Sequence, residues 1–329
     1  MIEINSTNCS IWIGDNSLKK LSKLNYSKVA ILVDENTKKN CLNKIPKIKN
    51  SVIIEIPSGE ENKQISTCNL IWKRLKINQF DRDSVVINLG GGVLGDIGGF
   101  CASTYKRGID FIQVPTTLLS MVDSSIGGKL GIDFDGLKNH IGLFNNPKLV
   151  LISPSFLKTL PKNQLLSGFA EVLKYALIYD LNFWNKIHST QIEDLNFEEI
   201  ILTSIRIKND IVSSDPFDKG IRKKLNFGHT FAHAIESYYI NIGNPILHGE
   251  AVFMGIILET ELSPLTKRDK NEIKSYILSN FSLPKTPKIS EIKPYMINDK
   301  KNICGKINFS LLEDIGSCSI NNLFELNEL

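Results

Sequence analysis

The sequence predicts an α/β N-terminal domain with a Rossmann-like parallel sheet, followed by an all-α C-terminal domain. Three observations support this prediction. Short apolar segments alternate with helix-length segments in the first half, as strands and helices do in parallel α/β sheets. A glycine-rich loop follows one of the apolar segments. From about Pro154 onward the pattern is helical and interrupted by prolines, so we expect domains at 1–153 and 154–329.

The apolar segments of the first half have the length and residue types of buried strands. They are KVAILVD (28–34), SVIIEIP (51–57), SVVINLG (84–90), FIQVP (111–115) and KLVLIS (148–153). A helical pattern runs from Ser66 to Lys76, between the second and the third of them. This alternation predicts a mostly parallel sheet with helices on its faces.

Composition excludes several classes of protein. The 329 residues are 42% hydrophobic and 22% charged, with a net charge of +4, as expected for a globular protein of two domains. The chain has no arginine-rich arm or zinc-finger spacing, which argues against nucleic acid as a partner. Its six cysteines include no CxxC pair, and we expect free thiols in a reducing compartment. We find no signal peptide and no apolar segment long enough for a membrane, so we expect a cytoplasmic protein.

The glycine-rich loop is GGGVLGDIGGF (90–100), in which Gly90, Gly92 and Gly95 match G-x-G-x-x-G. Glycines at a strand-to-helix turn let the backbone approach a pyrophosphate, although the match alone is weak and a tight turn against the sheet is the alternative. Polar residues follow two earlier strands, namely Asp34 and the pair Glu60 and Lys63. Because ligands of such sheets collect at the carboxyl ends of the strands, these residues favour a nucleotide site.

Charged residues interrupt two helices that are otherwise apolar. Glu171 and Lys174 are three residues apart in SGFAEVLKYALI (167–178), where a buried charge needs a partner or a metal. An internal ion pair is the alternative to a site. Lys208 occupies an apolar stripe of the helix predicted at 200–212, and it points either outward to solvent or into a cleft.

The segment LNFGHTFAHAIE (225–236) carries a polar stripe if the helix extends back to residue 222. Arg222, Asn226, His229 and His233 then fall at i, i+4, i+7 and i+11, on one face. The rest of the segment is largely apolar, which predicts burial and a polar stripe that lines a cleft, with a solvated face as the alternative.

The histidines predict a catalytic metal centre of three protein ligands. Thr230 stands where an HExxH metalloprotease has glutamate, so the pair His229 and His233 does not form that motif. His248 lies at the start of another apolar helix. Glu171, His229 and His248 supply one ligand from each of three helices, which is the pattern of catalytic zinc. His233 is then free for proton transfer or contact with phosphate.

Several segments, in this order along the chain, resemble the 3-dehydroquinate synthases, which belong to the sugar-phosphate cyclases. They are VINLGGGVLGDIGGFCASTYKRGIDFIQVPTTLLSMVDSSIGGK (86–129), SGFAEVLKYALI (167–178), LNFGHTFAHAIE (225–236), LHGEAV (247–252) and NDKKN (298–302). The resemblance covers nearly the whole chain. It implies a dehydroquinate synthase-like fold and the conversion of 3-deoxy-D-arabino-heptulosonate 7-phosphate into 3-dehydroquinate and phosphate, with NAD+ that is reduced and reoxidised in each cycle and is not consumed.

The resemblance also implies the roles of individual residues. Glu171, His229 and His248 would bind Zn2+ or Co2+, and Asp123 and Lys174 would lie beside the reacting hydroxyls. The carboxylate and phosphate of the substrate would be held by Lys129, Asn139, Lys208, Arg222 and Asn226, and the phosphate pocket completed by His233 and Lys300 or Lys301. Arg107 would reach the phosphate bound to a neighbouring subunit, which implies a homodimer. The implied NAD+ contacts are Asp34, Glu60, Lys63, Gly91, Gly92, Val93, Asp96, Thr116, Thr117, Lys129, Lys138, Phe156 and Thr159.

Three alternatives stay open at this point. A sister cyclase would act on a sugar phosphate without a carboxylate, and Lys208, Arg222 and Asn226 argue against it. A metal- and NAD-dependent polyol dehydrogenase would have similar domains but would produce or consume NADH. A non-catalytic binding protein would have no use for buried charge, which is costly to retain.

Overall fold

The computed structural model describes residues 1–6, 9–135, 137–297, 302 and 305–329. They form two compact units. Unit 1 consists of Met1–Leu165 and Phe197–Asn209, and unit 2 of Leu166–Asn196 and Asp210–Leu329. Residues 154–165 and 197–209 belong to unit 1, whereas the sequence predicts a second domain at 154–329. The reason for the second stretch is visible at Lys208 and Asn209, whose side chains bond to Asp123 and to the Asn5 carbonyl, both in unit 1.

The described residues form strands and helices in alternating order through unit 1 and mostly helices in unit 2. The strands are β1 (Ile2–Ser6), β2 (Cys9–Ile13), β3 (Val29–Val33), β4 (Ser51–Glu55), β5 (Val85–Gly90), β6 (Asp110–Pro115), β7 (Lys129–Phe134), β8 (Leu137–Phe144), β9 (Leu149–Ile152), β10 (Ile307–Asp314) and β11 (Ser317–Phe324). The α-helices are α1 (Glu35–Asn40), α2 (Ile65–Ile77), α3 (Gly92–Thr104), α4 (Lys162–Tyr179), α5 (Leu181–His188), α6 (Phe197–Ser214), α7 (His229–Asn241), α8 (His248–Leu262), α9 (Lys267–Asn280) and α10 (Ile289–Ile297).

Unit 1 is built on a seven-stranded sheet in the order β1-β2-β9-β6-β5-β3-β4. All neighbouring strands are parallel except β1 and β2, which form an antiparallel hairpin at one edge. The five predicted strands are all present, and the mostly parallel sheet is confirmed. Two hairpins in unit 1 were not predicted, β1–β2 and β7–β8. The first has strands of only five residues, and the second carries charged and apolar residues without clear alternation.

Helix α3 packs against the middle of this sheet and determines where the glycine-rich loop lies. A Cβ atom on Gly98 would lie 1.9 Å from Oδ1 of Asn88 in β5, so only glycine lets the helix approach the strand this closely. Leu94, Ile97 and Cys101 of α3 are buried in the same apolar core as Leu32 and Val86 of the sheet. The amino end of α3 is thereby fixed at the carboxyl end of β5.

Unit 2 is helical, as the sequence predicts, and contains in addition the antiparallel hairpin β10–β11. Helices α7 and α8 pack along each other. Aromatic side chains fill part of the core around them, with Phe253 of α8 stacked on Phe281 at a centroid distance of 3.9 Å. His229 begins α7 and His248 begins α8, and the centroids of their two rings lie 5.6 Å apart.

The thiols of Cys9, Cys41, Cys68, Cys101 and Cys318 are free, and Cys304 lies outside the described residues. The helices of the described part of the chain are too short or too polar to cross a membrane.

Candidate active site

Glu171, His229 and His248 converge in unit 2, at one point of contact between three helices. Each contributes one ligand atom, and these atoms lie within 4.8 Å of one another. The Nε2 atoms of His229 and His248 lie 3.2 and 3.4 Å from the same Oε1 atom of Glu171. The three ligands predicted from the sequence therefore form one cluster, with the carboxylate oxygen and both imidazole nitrogens directed at each other.

Glu171 is almost completely buried in the middle of α4, and its two carboxylate oxygens face different partners. Oε1 faces the two histidines, whereas Oε2 contacts the ammonium group of Lys174, which is equally buried. Burial raises the pKa of Glu171, but the charge of Lys174 and then that of His229 hold it well below its usual range. The carboxylate is therefore ionised, with Oε1 available to a cation while Oε2 stays paired.

His229 is the first residue of α7, and its other ring nitrogen is held by the backbone. Its Nδ1 atom lies 3.1 Å from the carbonyl oxygen of Phe227, an acceptor that favours a proton on Nδ1. Burial lowers the pKa of His229, and the carboxylate of Glu171 opposes this effect only in part. The ring is therefore neutral at pH 7, with the lone pair of Nε2 directed at the cluster.

His248 is the first residue of α8, and carboxylates face both of its ring nitrogens. Oε1 of Glu236 lies 3.4 Å from Nδ1, and Glu171 lies on the Nε2 side. Burial lowers the pKa of His248, but Glu236 and Glu171 raise it to about 10. Nε2, which faces Glu171, is the nitrogen of His248 that a metal ion would bind.

The polar residues from Arg222 to His233 do not lie along one helix, so the prediction of a continuous polar stripe is wrong. Residues Ile221–Asn226 form a 3-10 helix, and α7 begins only at His229. Gly228 separates the two with φ 81° and ψ −20°, a left-handed conformation that favours glycine. The backbone therefore changes direction between Asn226 and His229, and the 3.6-residue period cannot continue across it.

The residues of the expected stripe consequently lie in different surroundings. Arg222 is buried, and its Nη1 atom donates to the carbonyl oxygen of Pro216 at 2.8 Å. The Asp215 carboxylate accepts the backbone N–H of Arg222 at 3.1 Å and that of Gly220 at 2.6 Å, so the loop that presents the arginine is tied to one carboxylate. Asn226 is half-buried.

His233 is exposed on α7, one turn beyond His229. The two rings meet edge to face with centroids 5.5 Å apart. His233 is thus a neighbour of the cluster and is not one of its converging ligands, as the sequence analysis expected.

The glycine-rich loop of unit 1 leads directly into a helix, as a nucleotide loop does. Gly91 is the N-cap of α3, and Gly92 is its first residue. Both positions are closely packed, since a Cβ atom on Gly91 would lie 3.2 Å from the side chain of Thr117 and one on Gly92 would lie 3.1 Å from Oγ of Ser124. The first N–H groups of α3 have no side-chain cap, so they are available to an anion.

A buried lysine organises the polar residues next to this loop. The Nζ atom of Lys63 lies 2.5 Å from Oδ2 of Asp96 and 2.6 Å from Oδ1 of Asn139, and it lies 4.0 Å from Glu60. Burial lowers the pKa of Lys63, but Asp96 and Glu60 outweigh it and raise the pKa above its usual value. The ammonium group is therefore charged, and it contacts two residues that the resemblance assigns to NAD+, Asp96 and Glu60, and one assigned to the substrate, Asn139.

Asp34 and the threonines have local partners at the carboxyl ends of their strands. Oδ1 of Asp34 caps α1 by accepting the backbone N–H of Thr37 at 2.7 Å. The backbone N–H of Thr116 donates to the carbonyl oxygen of Gly90, and Oγ1 of Thr117 bonds to Ser120. These contacts correspond to the strand-end and helix-cap roles that such residues commonly have.

Lys208 does not extend to solvent. Its side chain is buried, and its Nζ atom lies 2.8 Å from Oδ1 of Asp123 and also contacts the Asp123 carbonyl oxygen. Of the two orientations that the sequence left open, the structure has the inward one. Asp123, which the resemblance pairs with reacting hydroxyls, is thus held by a lysine of α6 within unit 1.

The remaining predicted site residues are spread over unit 1. Phe156 is buried and accepts, through its carbonyl oxygen, a hydrogen bond from Thr159 Oγ1 at 3.2 Å. Val93 is the second residue of α3, and Lys129 and Lys138 are exposed on the β7–β8 hairpin. Arg107 is exposed with φ 71° at the end of a short 3-10 helix. Lys300 and Lys301 lie outside the described residues.

Comparison with known proteins identifies the family of this chain. The profile of the 3-dehydroquinate synthase N-terminal domain matches residues 53–167, and the profile of its C-terminal domain matches residues 168–302. The chain belongs to the 3-dehydroquinate synthase family.

Relatives along the whole chain agree with the two domain profiles. The 3-dehydroquinate synthase of Clostridium botulinum is 43% identical over 319 residues, which cover 92% of this chain and 89% of the relative. That of Parabacteroides distasonis is 40% identical over 315 residues, with the same coverage of 92% and 89%. Among solved structures, 2-epi-5-epi-valiolone synthase from Streptomyces hygroscopicus with NAD+ and Zn2+ bound is similar in fold. Its TM-score is 0.86 at 23% identity, with 100% of this chain and 95% of that chain covered.

Three residues near the sites of this 3-dehydroquinate synthase family member were missed by the sequence analysis. Glu236 was visible as the residue seven positions after His229, on the same face of α7, where it contacts His248. Asp215 precedes a proline and a glycine in DPFDKG, a pattern typical of a turn whose carboxylate binds backbone N–H groups. Glu259 lies in an apolar helix far along the chain, and nothing local indicates that it contacts α7.

Proposed function

We propose that this member of the 3-dehydroquinate synthase family is a lyase that converts 3-deoxy-D-arabino-heptulosonate 7-phosphate into 3-dehydroquinate and phosphate. This is the second step of the shikimate pathway, which leads to chorismate and the aromatic amino acids. Relatives at 40% and 43% identity that carry this name support it. The single structural observation that carries the proposal is the convergence of Glu171, His229 and His248 on one point.

The donor set of this cluster fits a catalytic divalent cation, Zn2+ or Co2+. One carboxylate oxygen and two imidazole nitrogens are three of the four ligands that tetrahedral zinc takes, and the fourth position stays available to a substrate. Both histidines have an acceptor on Nδ1, from Phe227 and Glu236, as metal-binding histidines do. The Zn2+ bound in 2-epi-5-epi-valiolone synthase supports the same choice here.

The glycine-rich loop and its polar neighbours fit NAD+. The uncapped N–H groups of α3 and the closely packed Gly91 and Gly92 suit a pyrophosphate. Lys63 and Asp96 lie beside them and suit the ribose or the amide of the nicotinamide. The chemistry that these two bound groups supply is reversible hydride uptake by NAD+ and polarisation of substrate hydroxyls by the cation.

The chain's own residues bind the substrate and set the charges around it. Lys174 and Asp123 are assigned to the reacting hydroxyls, and each is already engaged with an opposite charge, Glu171 or Lys208. Such pairs hold the charged atoms in place before substrate binds, which lowers the reorganisation needed during the reaction. Lysine and arginine groups suit an anion that must be held while it leaves. The residues assigned to the carboxylate and phosphate are Lys129, Asn139, Lys208, Arg222, Asn226 and His233, with Lys300 or Lys301.

Three further assignments belong to the same proposal. The buried cationic groups Arg222 and Lys208 favour a substrate with a carboxylate over the sugar phosphates of sister cyclases. The protein is a homodimer in which Arg107 reaches the phosphate in the neighbouring subunit. It acts in the cytoplasm, where its cysteines stay reduced.

Metal-loaded protein, given the heptulosonate phosphate and NAD+, tests the proposal. Free phosphate and 3-dehydroquinate should appear in equal amounts, and chelation should abolish both until Zn2+ or Co2+ is restored. Product from a sugar phosphate without a carboxylate, and none from the heptulosonate, would instead identify a sister cyclase. Net production of NADH would identify a polyol dehydrogenase.

A further inference from the structure

Glu259 is a buried glutamate of α8 that binds the backbone at the start of α7. Its side chain is completely buried. Oε2 accepts the N–H of Gly228 at 2.6 Å, and Oε1 accepts the N–H of Thr230 at 2.9 Å and that of Phe231 at 3.3 Å. These three N–H groups flank His229, the first residue of α7.

This carboxylate replaces a cap that the local sequence does not provide. The N-cap of α7 is Gly228, which has no side-chain oxygen to accept the N–H groups of the first turn. The first N–H groups of a helix need acceptors and carry partial positive charge, so a carboxylate is a favourable partner. Because Glu259 comes from another helix, the cap also fixes the start of α7 relative to α8.

The two helices approach each other closely at this position. A Cβ atom on Gly255 would lie 1.9 Å from the carbonyl oxygen of Gly228, so glycine is required there. Gly255 and Glu259 are four residues apart and lie on one face of α8. His248 lies eleven residues before Glu259, on the same face and about 16 Å along the helix axis. One face of α8 thus carries His248, a proposed metal ligand, at its start. The same face carries Glu259, which binds the start of α7, near its end.

The arrangement is reciprocal. Glu236 of α7 contacts the ring of His248, the first residue of α8. Glu259 of α8 contacts the backbone on both sides of His229, the first residue of α7. Each helix therefore contributes one histidine to the cluster and one glutamate that holds the other helix's histidine.

We propose that Glu259 is a positioning residue for the metal centre, which it serves by fixing the backbone that presents His229 to Glu171 and His248. The inference rests on the metal centre of the proposed function. The bonds of Glu259 at the start of α7 are to backbone N–H groups on either side of His229, so it acts through the position of that residue. Groups that orient metal ligands typically change metal affinity by 10- to 100-fold when they are removed.

The test compares Glu259→Gln with the matched control Asp180→Asn. Asp180 is also a carboxylate of unit 2 that caps a helix, since it accepts the N–H groups of Asn182 and Phe183 at 2.9 and 3.1 Å, but its helix α5 carries no cluster residue. Both changes remove the charge of a cap. Metal-free protein is titrated with Co2+ in competition with a chromophoric chelator, and the visible absorption of bound Co2+ reports its coordination geometry.

We expect Glu259→Gln to weaken Co2+ binding 10- to 100-fold and to change the Co2+ absorption spectrum, whereas Asp180→Asn leaves both unchanged. Affinity for NAD+ should not change in either variant. Wild-type Co2+ affinity and spectrum in Glu259→Gln would overturn the inference, as would an equal loss in the control.

Glu259→Asp keeps the charge but shortens the side chain, and it replaces Glu259→Gln in the Co2+ titration if the glutamine variant does not fold. A changed Co2+ spectrum in the aspartate variant supports the inference, and an unchanged one overturns it. Absence of Co2+ binding in the unmodified protein would refute the proposed metal centre and, with it, the role of Glu259. Equal binding by the unmodified protein and its Glu259 variants would refute the role of Glu259 alone.

Discussion

The Oε1 atom of Glu236 lies 3.4 Å from the Nδ1 atom of His248, while the Nε2 atom of the same ring lies 3.4 Å from Glu171. The imidazole is therefore held between two carboxylates, one of which belongs to the ligand cluster. This arrangement fixes the ring and increases the basicity of the nitrogen that would bind a metal.

Replacing Glu236 should weaken metal binding without removing a ligand. In Glu236→Gln the uncharged amide holds the Nδ1–H of His248 less strongly, and we expect the affinity for Zn2+ to fall about 10-fold. Competition with a chromophoric chelator measures this. Glu272→Gln is the control, because Glu272 lies 3.8 Å from His188 at the surface of the same unit. An unchanged affinity in Glu236→Gln would contradict the account.

Metal binding should release a proton from the cluster. The pKa of His248 is raised to about 10, so Nε2 is protonated at pH 7, whereas the pKa of His229 is lowered and its ring is already neutral. The metal competes with one proton, and its affinity should rise about 10-fold per pH unit between pH 7 and 9. Calorimetric titration in buffers of different ionisation enthalpy counts the protons. Release of none would show that His248 is neutral before metal binds.

Removing Glu171 should destabilise the metal-free protein, because it leaves the buried ammonium of Lys174 without its partner. Glu171→Leu should cost about 3–5 kcal/mol in the free energy of unfolding. The double variant Glu171→Leu with Lys174→Met should recover most of that loss and still bind no metal. Denaturant unfolding with chelator present measures both. An equal free energy of unfolding for Glu171→Leu and the wild-type protein would show that the ion pair with Glu171 does not stabilise the buried Lys174.

Removing Lys63 should weaken the binding of NAD+ more than removing a surface lysine does. Lys63→Met removes the ammonium group between Asp96 and Asn139 and leaves the half-buried carboxylate of Asp96 without its cationic partner. We expect the dissociation constant of NAD+ to rise 10- to 100-fold, which corresponds to about 1.4–2.8 kcal/mol. The control is Lys38→Met. Lys38 forms an exposed ion pair with Glu55 at 2.5 Å, and its removal should leave the affinity for NAD+ nearly unchanged. Equal NAD+ affinity in both variants would exclude Lys63 from the cofactor site.

The sequence predicts the parallel sheet and the cluster of Glu171, His229 and His248 because both depend on local patterns. Buried strands such as β3 and β5 are continuous apolar segments, and His248 stands at the start of an apolar helix. A charged residue such as Glu171 among apolar neighbours predicts that an oppositely charged group or a metal ion lies beside it, since an isolated buried charge is too costly.

The failures have a different physical origin. The predicted stripe from Arg222 to His233 assumed a continuous helix, which the left-handed conformation of Gly228 breaks. Glu259 could not be assigned from sequence for two reasons. Its partners are backbone N–H groups, which every residue type except proline has, and they lie 28 to 31 residues away along the chain. Residues that act through another helix become visible only in the folded structure.

The number of turnovers supported by each NAD+ tests the central claim most directly. Metal-loaded protein is given an excess of the heptulosonate phosphate and NAD+ at a concentration equal to that of the protein, while phosphate release and NADH absorbance are recorded together. The account predicts many phosphates released per NAD+ and no accumulation of NADH. Release that stops at one phosphate per NAD+, with NADH accumulating in proportion, would contradict it.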